Sequence, residues 1–272
     1  MGIVGEMLSY PFLVRAFVGG ILISLCAALL GVSLVLKRYS MIGDGLSHVS
    51  FGALSIAIAI GWSPLAVSLP VVALAAFFLL RLTENSKVKS DAAIGMISAS
   101  SLAIGIVATS LTTGMTTDVS SYMFGSILAM SRGDVALSAV LSLVVLGLFV
   151  FSYHKIFAVT FDESFAKATG VKVEFYNIMT AMLTAVAIVL GMRMMGAMLI
   201  SSLIIFPSLT AMRLFKSFRG VVWCSGVLSA LCFCIGMVLS YRLSTPAGAS
   251  VVLVNLAAFA MFSLVGLTVK KK

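Results

Sequence analysis

Asp44 and His48 stand four residues apart in GDGLSHVSFGAL (43–54), inside a segment of about 41–60 that otherwise reads as a membrane-spanning helix. Four residues is just over one helical turn, so the two side chains leave the same face. A carboxylate and an imidazole are costly at membrane depth, where such groups face a cavity, a partner or an ion. One oxygen and one nitrogen donor on a single stripe suit a divalent transition metal, zinc or manganese first. Capping of a helix start is the plain alternative for Asp44. His48, about 6 Å further along the axis by the helical rise, has no such explanation. The other carboxylates (Glu6, Glu84, Asp91, Asp118, Asp134, Asp162, Glu163 and Glu174) fall in expected loops or at span ends. His154 sits beside Lys155 at an expected boundary and needs no special role.

One chain thus offers two ligands, whereas zinc prefers four. A homodimer would place two copies of each about a shared axis, giving an Asp2His2 set in a central channel. An ion that must also leave calls for a transient site, which mixed oxygen and nitrogen donors without thiolates would provide. Met192, Met194, Met195 and Met198 invite a copper reading, since thioethers select Cu(I). Methionine is also common filler in apolar packing, and Cys26, Cys224, Cys232 and Cys234 read as small buried hydrophobes without a disulfide pattern.

The elements that must hold this pair are helices. The 272 residues are 61% hydrophobic and 10% charged, with a mean hydropathy of +1.19. Soluble domains carry about a quarter charged residues, and a β-barrel would show short alternating strands instead of long apolar runs. The fold expected is an all-α polytopic bundle forming one transmembrane domain over residues 1–272. Spans are expected near 13–36, 41–60, 64–82, 91–112, 134–153, 174–192, 196–212, 220–240 and 246–268. That is nine, or eight to ten if the pair meeting at 192–196 merges or the short 119–131 stretch counts. This last stretch is too short to span comfortably and reads as re-entrant or interfacial. The first residues lack a basic region followed by an apolar core and cleavage site, so no removable leader is expected.

The net charge of +9 is explained by position. With the N-terminus outside, the inner side receives Lys37, Arg38, Arg81, Lys87, Lys89, Lys155, Lys167, Lys172, Arg213, Lys216, Arg219 and Lys270 to Lys272. Only Arg15, Arg132, Arg193 and Arg242 remain outside, which is the asymmetry the positive-inside rule requires. Lipid accounts for the basic balance, and no nucleic-acid partner is expected. The longest inner connection is 154–173. In it Phe161 and Phe165 share a helical face with Ala168 close by, Asp162, Glu163 and Lys167 are polar, and Gly170 supplies a left-handed stop. Such a short amphipathic helix either lies in the headgroups or docks a soluble partner. The run from Ser244 to Ser250, with Pro246 and Gly248, opens the last span with small residues suited to close packing or to bordering a polar path.

No G-x-x-x-x-G-K-[ST], H-E-x-x-H or G-x-S-x-G occurs, so neither a P-loop nor a familiar hydrolase centre is carried here. Energy must come from an ion gradient or a separate ATPase, and no enzyme activity is expected of the chain itself.

At these residues the chain resembles the permease subunits of ATP-binding-cassette importers for zinc, manganese or iron(II). The resemblance is carried by GDGLSHVSFGAL (43–54), SSYMFGSILAMSRGD (120–134), FDESFAKATGVK (161–172), GAMLISSLIIFPSLTA (196–211) and STPAGASVVL (244–253). It implies a homodimeric permease in a bacterial inner or plasma membrane with its C-terminus in the cytoplasm. Two cytoplasmic ATPase subunits and an extracytoplasmic metal-binding protein would be its partners. It implies no permanently bound cofactor and a transported divalent metal, zinc before manganese, with iron a further candidate. It places the metal pathway at Asp44 and His48, and ATPase coupling at Phe161, Asp162, Glu163, Phe165, Ala168 and Gly170. The alternatives are an ion-coupled secondary metal transporter, with Asp44 as its protonation site, and a membrane metal hydrolase, which lacks an evident nucleophile.

Overall fold

The computed structural model describes residue 7 and residues 9–85, 90–112 and 132–269. Among these it contains eleven helices: α1 (Pro11–Leu36), α2 (Ile42–Ala59), α3 (Pro64–Asn85), α4 (Ser90–Leu111), α5 (Arg132–Phe151), α6 (Tyr153–Phe161), α7 (Glu163–Ala168), α8 (Val173–Met195), α9 (Ala197–Leu214), α10 (Phe218–Leu243) and α11 (Ala247–Val269). Eight are long and apolar enough to cross a membrane, and α5 with α6, bent by 67° at Ser152, would make a ninth. The expected 119–131 segment lies outside the described residues.

Helix α1 is the hub. It packs against α5, α8, α9 and α10, while α2 packs against α3, α4, α8 and α9. In lipid there is no hydrophobic drive to bring helices together, so small residues and hydroxyls carry the contact. A Cβ on Gly31 would stand 2.2 Å from the Ile204 carbonyl oxygen of α9, so α1 and α9 meet backbone to backbone there. Ser208 of α9 and Ser225 of α10 both donate to the Ala28 carbonyl, at 3.4 and 3.3 Å, and Ser229 donates to the Ser24 carbonyl at 3.0 Å. Each such bond adds about 0.6 to 2 kcal/mol in a bilayer.

The methionines and the last-span motif are packing elements. Met194 and Met195 are buried with their methyl groups over Gly19 and Gly20, Met192 is buried beside Phe51 and Ala197, and Met198 is exposed. They do not converge. A Cβ on Gly236 would stand 2.5 Å from Val251 Cα, so a glycine of α10 lets the first turns of α11 pack closely against it. All four cysteines are free.

One expectation is corrected. Residues 154–173 are not a single surface connection carrying one amphipathic helix. The chain stays helical through Phe161, burying Ile156 and Val159 in α6, and breaks at Asp162, whose backbone is extended (φ −149°, ψ 98°). Phe161 therefore closes α6 and Phe165 belongs to α7. The break follows from Asp162 capping α7: its carboxylate accepts from the Phe165 N–H at 2.9 Å, a geometry that needs non-helical backbone.

Replacing Gly31 by Val should separate α1 from α9 and cost about 1–3 kcal/mol, read as a lower melting temperature of the detergent-solubilised protein. Gly147→Ala, at an exposed position where a Cβ meets nothing within 4 Å, should not lower it.

Candidate metal pathway and coupling surface

From Ile42 to Ser55 every residue of α2 is buried except Asp44 and His48. Flanking glycines explain the pattern. A Cβ on Gly43 would stand 2.8 Å from Ile204 Cδ1 of α9, and one on Gly45 would stand 2.6 Å from Ile94 Cγ2 of α4. The residues on either side of Asp44 are each turned about 100° from it. Helices α9 and α4 thus close the two sides and leave one open sector, into which Asp44 and, one turn on, His48 project. Phe51, 3% exposed and packed with Met192, Ala197 and Leu102, ends the opening a turn beyond His48.

Asp44 does not cap the helix. Met41 occupies the N-cap, and Asp44 lies within the first turn, where the helix dipole favours a negative charge. His48 Nε2 and Asp44 Oδ2 are 3.6 Å apart, with the side chains 15% and 43% exposed. That separation is too long for a good hydrogen bond. It is close to the roughly 3.0–3.4 Å between two donors that share a metal at bonds of about 2.0–2.2 Å. Among the described residues no third His, Cys, Asp or Glu joins them, so the pair offers one oxygen and one nitrogen donor on an open face.

A second polar cluster lies where α1, α7 and α8 meet. Lys37, at the end of α1, donates to Glu163 Oε1 at 2.7 Å and to Asn177 Oδ1 at 2.5 Å, and the Asn177 amide donates to the same Glu163 oxygen at 3.2 Å. Burial pushes the Glu163 carboxyl up, but the Lys37 hydrogen bond and charge, with the Asn177 bond, outweigh it and hold the group below its ordinary value. Arg81 of α3 reaches Glu174 of α8 at 3.8 Å. Helix α7 ends in a Schellman turn, with Val171 N–H to the Ala166 carbonyl at 3.0 Å, Gly170 N–H to the Lys167 carbonyl at 3.1 Å and Gly170 at φ +81°. Ala166 is fully buried, while Phe161, Phe165 and Ala168 face outward. Phe161, at 58% exposed, and Phe165, at 63%, present apolar surface on the two sides of the break at Asp162. The Lys37 linkage escaped the sequence reading because its partners are 126 and 140 residues away.

The sequence profile of the ABC 3 transport family matches residues 9–266. The chain belongs to the ABC 3 transport family. It is 33% identical to a "Probable metal transport system membrane protein" of Treponema pallidum, over 92% of this chain and 93% of that one. It is 28% identical to a high-affinity zinc uptake system membrane protein of Haemophilus influenzae, over 93% and 97%. A manganese import system permease protein of Streptococcus gordonii is 29% identical, over 92% and 90%. The solved structure of PsaBC from Streptococcus pneumoniae in complex with Fab superposes with a TM-score of 0.85 at 27% identity, covering 96% of this chain and 94% of that one. As a member of this family the chain is a multi-pass membrane permease of the metal-importing ABC type.

Because the Glu163 carboxyl is held low, its bond to Lys37 contributes stability above the ordinary value of 4.5 and loses it as pH falls through the lowered one. Wild type should therefore melt higher than Glu163→Gln at neutral pH, and the gap should close as the buffer is taken well below pH 4.5.

Proposed function

We propose that the chain is the membrane-spanning half-pathway of an ATP-driven importer of divalent transition metal ions, with zinc favoured and manganese next. The observation that carries this is the Asp44/His48 pair, open to one side of an otherwise enclosed helix at the spacing of two metal ligands. Two copies related by a two-fold axis would face these stripes toward each other and complete four ligands. The ion is cargo, so a shell shared between two moving subunits binds in some states and releases in others. Only such differential affinity lets binding bias a conformational equilibrium. Imidazole suits zinc and carboxylate suits manganese, and relatives named for each metal fit either choice.

ATP hydrolysis belongs, in this reading, to two separate cytoplasmic subunits, and the ion arrives from an extracytoplasmic binding protein. The N-terminus lies outside and the C-terminus inside the bacterial cell membrane, as the basic residues require. The docking element is the surface formed by Phe161, Asp162, Glu163, Phe165, Ala168 and Gly170. Phe165 supplies the apolar contact, Asp162 and Gly170 fix the two ends of α7, and Glu163 ties the element to Lys37. From Lys37 only Arg38 to Met41 separate the docking element from α2, and Arg38 takes a left-handed turn at φ 62°. A push on α7 is thereby delivered close to Asp44.

In vesicles carrying the complete transporter, Asp44→Ala and His48→Ala should each lower zinc or manganese uptake by at least roughly tenfold, with the ATPase subunits still co-purifying. Undiminished uptake of both metals would defeat the site. Phe165→Asp should abolish co-purification of the ATPase while the permease still folds.

A further inference from the structure

The helix packing leaves a long groove that the transport path does not use. It lies between α1, α5 and α10, has a volume of about 720 Å³, and is walled by Leu25, Leu29, Phe149, Val227 and Leu231. Its floor is lowest at Gly226, where an added Cβ would come no nearer than 3.6 Å to Leu25 and Leu29. Trp223, 68% exposed, stands at the rim. One mouth alone is polar: Tyr153, His154 and Arg219 line it, and no carboxylate does.

The dimensions and the charge point to one kind of occupant. Arg219 and Leu231 are twelve residues apart on α10, about 18 Å along the axis, close to half of the roughly 30 Å hydrocarbon core. The slot is therefore about one leaflet deep, with its cationic end at the membrane surface. That end is the basic end of the bundle. Phe218, next to Arg219, packs its ring against Tyr153, Phe157 and Phe161 of α6 at centroid distances of 5.4, 5.1 and 5.9 Å, and α6 leads directly into α7. The groove's lining faces outward, with Val150, Trp223, Val227 and Leu231 all more than half exposed, and none of α2, α4 and α9, which surround the Asp44 stripe, contributes to it. An apolar slot left empty forfeits the dispersion contacts of its lining, and basic pockets between helices on the cytoplasmic side suit anionic headgroups.

We propose that this groove binds an anionic phospholipid of the cytoplasmic leaflet, its phosphate on Arg219 and one acyl chain along Leu25, Leu29 and Gly226. The choice of leaflet rests on the orientation proposed above, whereas the site does not depend on metal transport.

The test is native mass spectrometry of the purified full-length permease exchanged into equal amounts of phosphatidylglycerol and phosphatidylcholine. Wild type should retain phosphatidylglycerol preferentially, Arg219→Gln should lower that preference roughly fivefold, and Gly226→Leu should lose both lipids by filling the slot. Arg242→Gln, at the far end of α10, should behave as wild type. Equal retention of the two lipids, an unchanged preference in Arg219→Gln, or an equal loss in Arg242→Gln would overturn the proposal. So would a fall in oligomer size in Gly226→Leu, which would make the occupant a second copy of the chain. Metal uptake is not read in this assay, so its outcome is separate from that of the Asp44 and His48 variants.

Discussion

How closely α4 and α9 can approach α2 on the two sides of Asp44 decides what the ionisable pair is exposed to. Gly43 and Gly45 allow contact distances that no side chain would permit, and from Ile42 to Ser55 the helix is enclosed except at Asp44 and His48. A carboxylate that faces lipid within the membrane is costly. Narrowing its exposure to a single sector means that one facing surface, or one ion, can relieve that cost. The same narrowing gives the pair its common direction. Without the two glycines the neighbours would stand off, and lipid or other helices could reach the pair from several sides.

The second organising feature is mechanical. Lys37 is only 17% exposed at its side chain and gathers the end of α1, the start of α7 and a buried position on α8 into one polar knot. Glu163 and Asn177 both depend on it, so the three elements have limited freedom to move separately. The bend between α5 and α6 serves the same end: it turns the chain so that the Phe157, Phe161 and Phe218 rings pack together and set the root of α7. The Asp44/His48 stripe and α7 are thus joined through a short covalent path and a short polar one.

The sequence was most legible where the signal is local. Asp44 and His48 are four residues apart, and the helical turn alone puts them on one face. The expected span ends fall within three residues of the helix ends throughout, because apolar length tracks bilayer thickness. The Gly170 stop was legible because a left-handed terminus has few other solutions. The break at Asp162 was present as an aspartate before a short helix, but the phenylalanine spacing on either side suggested one continuous face. The bend at Ser152 carries neither proline nor glycine, and nothing local announces it. The Lys37 knot was out of reach because helical periodicity carries no information about partners more than a hundred residues away.

That separation also orders events at the ribosome. At roughly 5–20 residues per second, the 126 residues between Lys37 and Glu163 take about 6–25 s to synthesise. For that interval the first hairpin, α1 and α2, has been made while its lysine still lacks both acceptors. Until then the early spans have only contacts among themselves, such as those of Gly45 with Ile94 and Gly52 with Ser101 between α2 and α4, and the knot fastens once α8 has followed. The Ser208, Ser225 and Ser229 bonds to α1, spanning 180, 197 and 205 residues, close later still, so the lysine knot is fastened before the packing around α1 is complete.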